Sequence, residues 1–216
     1  MENTQHLLEY LANKGISRSP LSKYCLVVYP PRNAVDSAKP DDQGLISKIE
    51  CLPKDISIDL YVHVPYCSRA CTFCNFYFLP SIKSFHEQSE GYVKAIERET
   101  STLGKMLGNR KVNSLYFGGG SPSLLTPEQV SKIYRSISES IGNLDNIEVS
   151  LELHPEIVRL QSESYLDKLR EIGINRISVG AQTTNSSILR KTKRGHTREE
   201  TYGILEATRR LGFTRN

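Results

Sequence analysis

The chain has 216 residues, 38% hydrophobic and 24% charged, with 28 basic against 24 acidic residues for a formal charge of +4. That composition is ordinary for a globular protein, and the charge is too small to argue for nucleic acid as a partner. The longest apolar run, Cys25 to Tyr29, is far too short to span a membrane. The N-terminus carries Glu2 and Glu9 and has no basic region followed by an apolar one, so a cytoplasmic location is expected.

Residues 1–57 differ from the rest and hold five of the ten prolines. They predict a short helix over Thr4–Asn13, a strand over Cys25–Tyr29 closed by Pro30-Pro31, and a loop before Gly44. We expect an N-terminal extension or small subdomain here, and a second region over 58–216. From Ile56 the pattern alternates. A strand over Ile56–Val64 precedes a helix over Glu87–Leu107, with Tyr92, Ile96, Leu103 and Leu107 near helical spacing. A second strand, Val112–Phe117, leads to a helix opened by Thr126-Pro127-Glu128-Gln129, a capping box with proline at the first helical position. The third strand is Ile147–Leu153. A helix over Ser164–Ile172 stops at Gly173, and the fourth strand is Asn175–Val179. The last helix opens on a capping box at Thr197–Glu200 and ends near Gly212. Four β-α units in succession imply an α/β fold with parallel strands.

Five cysteines cannot all pair within the chain. Cys25 reads as a small buried hydrophobe and Cys51 gives no signal. Cys67, Cys71 and Cys74 form C-x3-C-x2-C, which lets three thiolates converge from one loop. Three thiolates can hold three irons of a [4Fe–4S] cluster and leave the fourth open to a second cofactor. A zinc site with His63 or His86 as fourth ligand is the alternative, although zinc ligands usually come as two separated pairs.

Each strand ends in something unusual: the cysteine loop, then Gly118-Gly119-Gly120-Ser121, then Glu152 within ELHPE, then Gly180-Ala181-Gln182. Sites in parallel α/β folds form at the carboxyl ends of strands. Three consecutive glycines let a ligand lie against backbone; the alternative is a tight strand-to-helix turn, which a single glycine would usually satisfy. Glu152 alternates with Val149, Leu151 and Leu153 and so takes the opposite face, where a carboxylate needs a partner or solvent. Arg190, Lys191, Lys193, Arg194, His196 and Arg198 form either an anion site or a solvated surface.

Together these residues resemble the radical S-adenosylmethionine superfamily. Within it they look like the group of oxygen-independent coproporphyrinogen III oxidases (HemN) and HemW-type haem chaperones. The likeness runs from Tyr61 to about Arg210 and rests on Y-x-H-x-P-Y-C-x3-C-x2-C, Y-F-G-G-G-S-P-S, L-E-x-x-P, N-R-I-S-V-G-A-Q and K-R-G-H-T.

The resemblance implies a partial (βα)6 barrel, with about four of the six βα units present here. It implies that Cys67, Cys71 and Cys74 hold a [4Fe–4S] cluster whose open iron chelates S-adenosylmethionine. Phe73 would lie near the adenine, Gly119, Gly120 and Ser121 at the methionyl amino end, and Tyr61, Glu152, Gln182 and Arg194 along the cofactor. One-electron cleavage would yield methionine and a 5′-deoxyadenosyl radical, which abstracts hydrogen from a small-molecule or porphyrin-like substrate. The implied electron donor is of the reduced flavodoxin or ferredoxin type.

One departure concerns specificity. The oxidases of this group carry a further cysteine where this chain has Phe76, which leans toward the chaperone and methyltransferase-like members. Haem therefore joins the candidate ligands. Because a fifth strand would be expected where the chain stops, we expect a C-terminally shortened form. Three functions compete: a radical enzyme catalysing oxidation or methyl transfer, a haem chaperone without turnover, and a zinc-stabilised interaction module.

Overall fold

A computed structural model describes residues 44, 47, 49, 51–74, 79–80, 82–108, 110–161 and 164–213. The helix and strand expected at 4–13 and 25–29, and the position of Phe76, lie outside these residues. The chain divides into two compact units, Met1–Leu45 and Ile46–Asn216, and the elements below belong to the second.

In chain order they are β1 (Ile58–Val64), β2 (Tyr66–Cys67), β3 (Leu79–Pro80), α1 (Ile82–Leu107), β4 (Val112–Gly119), a 3-10 turn (Pro122–Leu124) and α2 (Pro127–Ser140). There follow β5 (Glu148–Leu153), α3 (Ile157–Leu160), α4 (Tyr165–Ile172), β6 (Arg176–Val179), α5 (Ser186–Lys191) and α6 (Arg198–Arg210). β1, β4, β5 and β6 form one parallel sheet in that order, with β1 and β6 at its edges. β2 and β3 pair separately. Among the described residues no helix is long and apolar enough to cross a membrane.

The alternation of side chains gives the sheet two unlike faces. Leu115 and Phe117 of β4, Leu151 and Leu153 of β5, Ile177 of β6 and Val64 of β1 are all at most 1% exposed. They join one core with Val93 of α1, Val130, Ile133 and Ile137 of α2, and Leu169 of α4. Each such side chain contributes about 1.5–3 kcal/mol on burial. A helix cap contributes only about 1 kcal/mol, so packing on this face, more than capping, holds the helices in place.

The other face is polar. Register sets Asp59 beside Ser114, Tyr61 beside Tyr116, and Glu152 beside Ser178. Ser114 Oγ donates to Asp59 Oδ1 at 2.7 Å, and Arg176 Nη1 donates to Ser150 Oγ at 3.2 Å.

Both capping boxes form. Gln129 N donates to Thr126 Oγ1 at 3.2 Å while Thr126 N donates to Gln129 Oε1 at 3.0 Å. Glu200 N and Thr197 N make the equivalent pair at 3.1 and 2.7 Å. Gly173 closes α4 at φ +116°, a backbone conformation that favours glycine.

Several boundaries differ from the sequence expectation. The first helix begins at Ile82 instead of Glu87, because Phe85 is buried against Tyr66, with ring centroids 5.5 Å apart, and extends the apolar stripe by a turn. β6 starts at Arg176; at Asn175 the backbone N–H still donates to Val149 O at 3.0 Å, while the side-chain Oδ1 accepts from Val149 N and Nδ2 donates to Ile147 O. The short α3 and α5 and the 3-10 turn carry too few periodic apolar residues to announce themselves.

Candidate functional site

A parallel sheet delivers all its carboxyl ends to one rim, and the four unusual strand ends meet there. They enclose a cavity of about 330 Å³ lined by Cys67 at the end of β2, by Cys71, Phe73 and Cys74 from the loop that follows it, and by Gly119 at the end of β4 with Gly120 and Ser121 just after it. Glu152, Leu153 and His154 come from the end of β5, Gly180 and Gln182 from beyond β6, and Arg194 from the segment before α6. Of the residues expected at the site, Tyr61 alone is not in this lining. Its side chain is exposed, accepts or donates a 3.1 Å hydrogen bond with His63 Nδ1, and stacks on Tyr116 at 6.1 Å between centroids. It is linked to the cavity through Tyr116, whose hydroxyl donates to Glu152 Oε1 at 2.8 Å.

The glycines have a reason beyond ligand access. Gly119 sits at φ +111°. A Cβ on Gly120 would stand 2.5 Å from Tyr66 O and 3.0 Å from Cys67 Sγ, and Gly120 N donates to Val64 O at 2.7 Å. The glycine turn is therefore where the cysteine loop and the end of β4 pass in direct contact.

Arg194 is buried and serves three neighbours. It donates to Gly180 O, lies 3.4 Å by Nη1 from Cys71 Sγ, and stacks its guanidinium 5.8 Å from the centre of the Phe73 ring. The Cys67 thiol is pushed up to about 12, first by burial, then by the neighbouring Cys74 and Cys71 sulfurs, with Arg194 opposing. Burial also holds His154 down to about 3, with the positive charge of Arg194 next in weight.

The donor set fits an anionic thiolate-ligated group. Three soft sulfur donors face one cavity beside a fixed cation. Among the described residues Arg194 Nε and His154 Nε2 are buried without a hydrogen-bond partner, and both side chains line that cavity. His154 Nδ1 accepts from Glu156 N at 3.2 Å, which leaves the ring proton on Nε2, available to an acceptor. Among the described residues no three His, Cys, Asp or Glu side chains are grouped as one metal ion would require.

Residues 61–216 match the radical SAM superfamily. The chain belongs to this superfamily. It is 31% identical over 154 residues to the heme chaperone HemW of Buchnera aphidicola subsp. Schizaphis graminum, covering 71% of this chain and 40% of that protein. It is also 31% identical over 157 residues to the oxygen-independent coproporphyrinogen III oxidase of Escherichia coli, covering 73% of this chain and 33% of that protein. The solved structure of the coproporphyrinogen III oxidase HemN from Escherichia coli, described as a radical SAM enzyme, matches with a TM-score of 0.73 at 28% identity, over 81% of this chain and 39% of that one. The radical SAM chain described here thus spans between a third and two fifths of the length of these relatives, and its sheet is part of an α/β barrel like theirs.

Sequence reasoning missed a second layer around the cysteine loop. Ser68 and Arg69 both bond to the buried Glu156, and His154 and His196 pack edge-on at 5.1 Å between centroids. ELHPE and KRGHT were visible as strings, but only the fold brings them to the same loop.

Proposed function

We propose that this chain holds a [4Fe–4S] cluster through Cys67, Cys71 and Cys74 and binds S-adenosylmethionine beside it. In this reading it acts on a porphyrin-like or other organic substrate by oxidation or methyl transfer. When bound, the pair supplies one-electron cleavage of a sulfonium bond and, from it, hydrogen abstraction from a C–H bond; the electron would come from a flavodoxin- or ferredoxin-type donor. Gly119, Gly120 and Ser121 would receive the amino-acid end of the cofactor on backbone and hydroxyl groups. Phe73 would pack against the base, and Glu152 and Gln182 would take polar hydrogens along its length. Arg194 would offset the negative charge of the thiolates, and the enclosing loops would exclude water. What carries this reading is the convergence of the three cysteines on the same cavity as the glycine turn, Glu152, Gln182 and Arg194.

The test is anaerobic reconstitution with iron and sulfide. The protein should turn brown with about four irons per chain, and Cys71→Ala should abolish loading. Iron and colour retained by that variant would refute the ligand assignment, and a colourless protein holding one zinc would refute the whole reading.

A second reading, a haem-binding chaperone without turnover, is supported by the similarity to HemW and by Phe76 at the position of the oxidases' further cysteine. Release of 5′-deoxyadenosine on adding dithionite favours the enzyme. A shift of the haem Soret band on mixing, without that release, favours the chaperone.

A further inference from the structure

We propose that Glu156 is a positioning residue, which holds the cysteine loop in its ligating shape before any metal arrives. The inference rests on the cluster reading and adds the device that preforms the site. Two residues between the first and second cysteines reach across the fold to one carboxylate. Ser68 Oγ donates to Glu156 Oε2 at 2.9 Å, Arg69 Nε donates to the same oxygen at 3.3 Å, and Arg69 Nη2 donates to Oε1. Both oxygens are thus engaged by the loop in a forked geometry.

Glu156 is 5% exposed and is not part of the cavity lining, so its effect on a bound group passes through Ser68 and Arg69. A carboxylate this buried must be paired, and apart from Arg159, at 3.7 Å, its charged partner is on the loop. Its own place is fixed by the His154 contact and by Arg159 N donating to Glu156 O at 2.9 Å.

The opposite side of Arg69 is clamped too. Gly195 has φ +75°, and a Cβ there would lie 2.1 Å from Arg69 Cζ. Arg159 donates to Gly195 O and to Glu200 of α6. The guanidinium therefore fills a slot between the turn after β5 and the segment before α6. Because Arg69 and Glu156 cancel in charge, the tie adds no net negative charge beside three thiolates, which a lone carboxylate would do.

The experiment uses Glu156→Gln, Arg69→Gln and the double variant in the full chain, with Leu166→Ala as a core-destabilised control remote from the loop. In metal-free protein, the rate at which an aromatic disulfide reagent modifies each thiol is mapped by peptide mass, with the exposed Cys51 as internal reference. Both single variants should speed modification of Cys67, Cys71 and Cys74 by about tenfold, the local opening released when a charge-assisted hydrogen bond is lost. Cys51 should be unchanged, and the double variant should match the singles because both break one tie. After reconstitution the same variants should load less iron or shift the electron-spin signal of the reduced cluster. Arg69 is partly exposed, so Arg69→Gln decides the matter should Glu156→Gln fail to fold. Unchanged loop-thiol rates, or equal acceleration in Leu166→Ala, would overturn the proposal. Wild-type protein that takes up no iron would instead overturn the cluster reading, and the thiol rates would still decide the role of Glu156.

Discussion

Two glycine-to-alanine substitutions should move stability in opposite directions, for reasons fixed by their surroundings. At Gly120 a Cβ would meet Tyr66 O at 2.5 Å, Tyr66 C at 3.0 Å and Cys67 Sγ at 3.0 Å. The nearest of these is backbone in a strand, which cannot swing aside as a side-chain tip can. Overpacking of this kind costs about 1–3 kcal/mol. For a unit of this size each kcal/mol moves the melting temperature by about 2–4 °C, so Gly120→Ala should melt about 2–12 °C lower. At Gly91, inside α1, no atom of the described residues beyond its own helix backbone and chain neighbours would lie within 4 Å of a Cβ. There alanine only removes backbone freedom from the unfolded chain and should stabilise by about 0.5–1 kcal/mol. The assay is thermal unfolding of metal-free protein followed by circular dichroism. A Gly120→Ala protein as stable as wild type would show that the cysteine loop does not pack on the glycine turn. A destabilised Gly91→Ala would refute the open surroundings of that helix face.

Much of this was legible from the sequence because it was local. The capping boxes at Thr126 and Thr197, the stop at Gly173 and the apolar alternation of β5 are patterns within a few residues, and each sits within a residue or two of where the pattern put it. Glu152 on the polar face followed from period-two alternation alone. The site was legible as four separate strand ends, and parallel topology is what unites them. The tie from Arg69 to Glu156 spans 87 positions, so no local pattern could signal it. Nor could spacing separate Tyr61 from the cavity lining: it shares the polar face with Tyr116 and Glu152, but on the edge strand β1 it reaches the cavity only through Tyr116. The glycines were readable as an opening for a ligand, but the contact of Gly120 with Tyr66 and Cys67 appears only in three dimensions.

Three further perturbations test the packing. Arg110 is buried and donates to the carbonyls of Leu107, Leu52 and Pro53, closing the end of α1 against the segment before β1; Arg110→Met strands those acceptors and should cost about 3 kcal/mol in a urea titration. Thr126→Ala removes the cap of α2 and should cost about 1 kcal/mol, with no change in iron loading. His154 gives a pH dependence of definite sign. Its folded-state value is lowered from 6.5 to about 3 by burial, with Arg194 adding to the effect. Between those limits the unfolded chain binds a proton at this ring that the folded chain does not. The stability associated with the neutral ring is therefore complete above about pH 6.5 and drains away as pH falls toward 3, by up to about 1.4 kcal/mol per unit. Acid destabilises by other routes as well, so the measured quantity is the difference between wild type and His154→Asn. That difference should narrow steadily from pH 7 to pH 4 in metal-free protein. A difference that stays constant with pH would mean that the ring titrates alike in both states, and the burial assigned to His154 would be wrong.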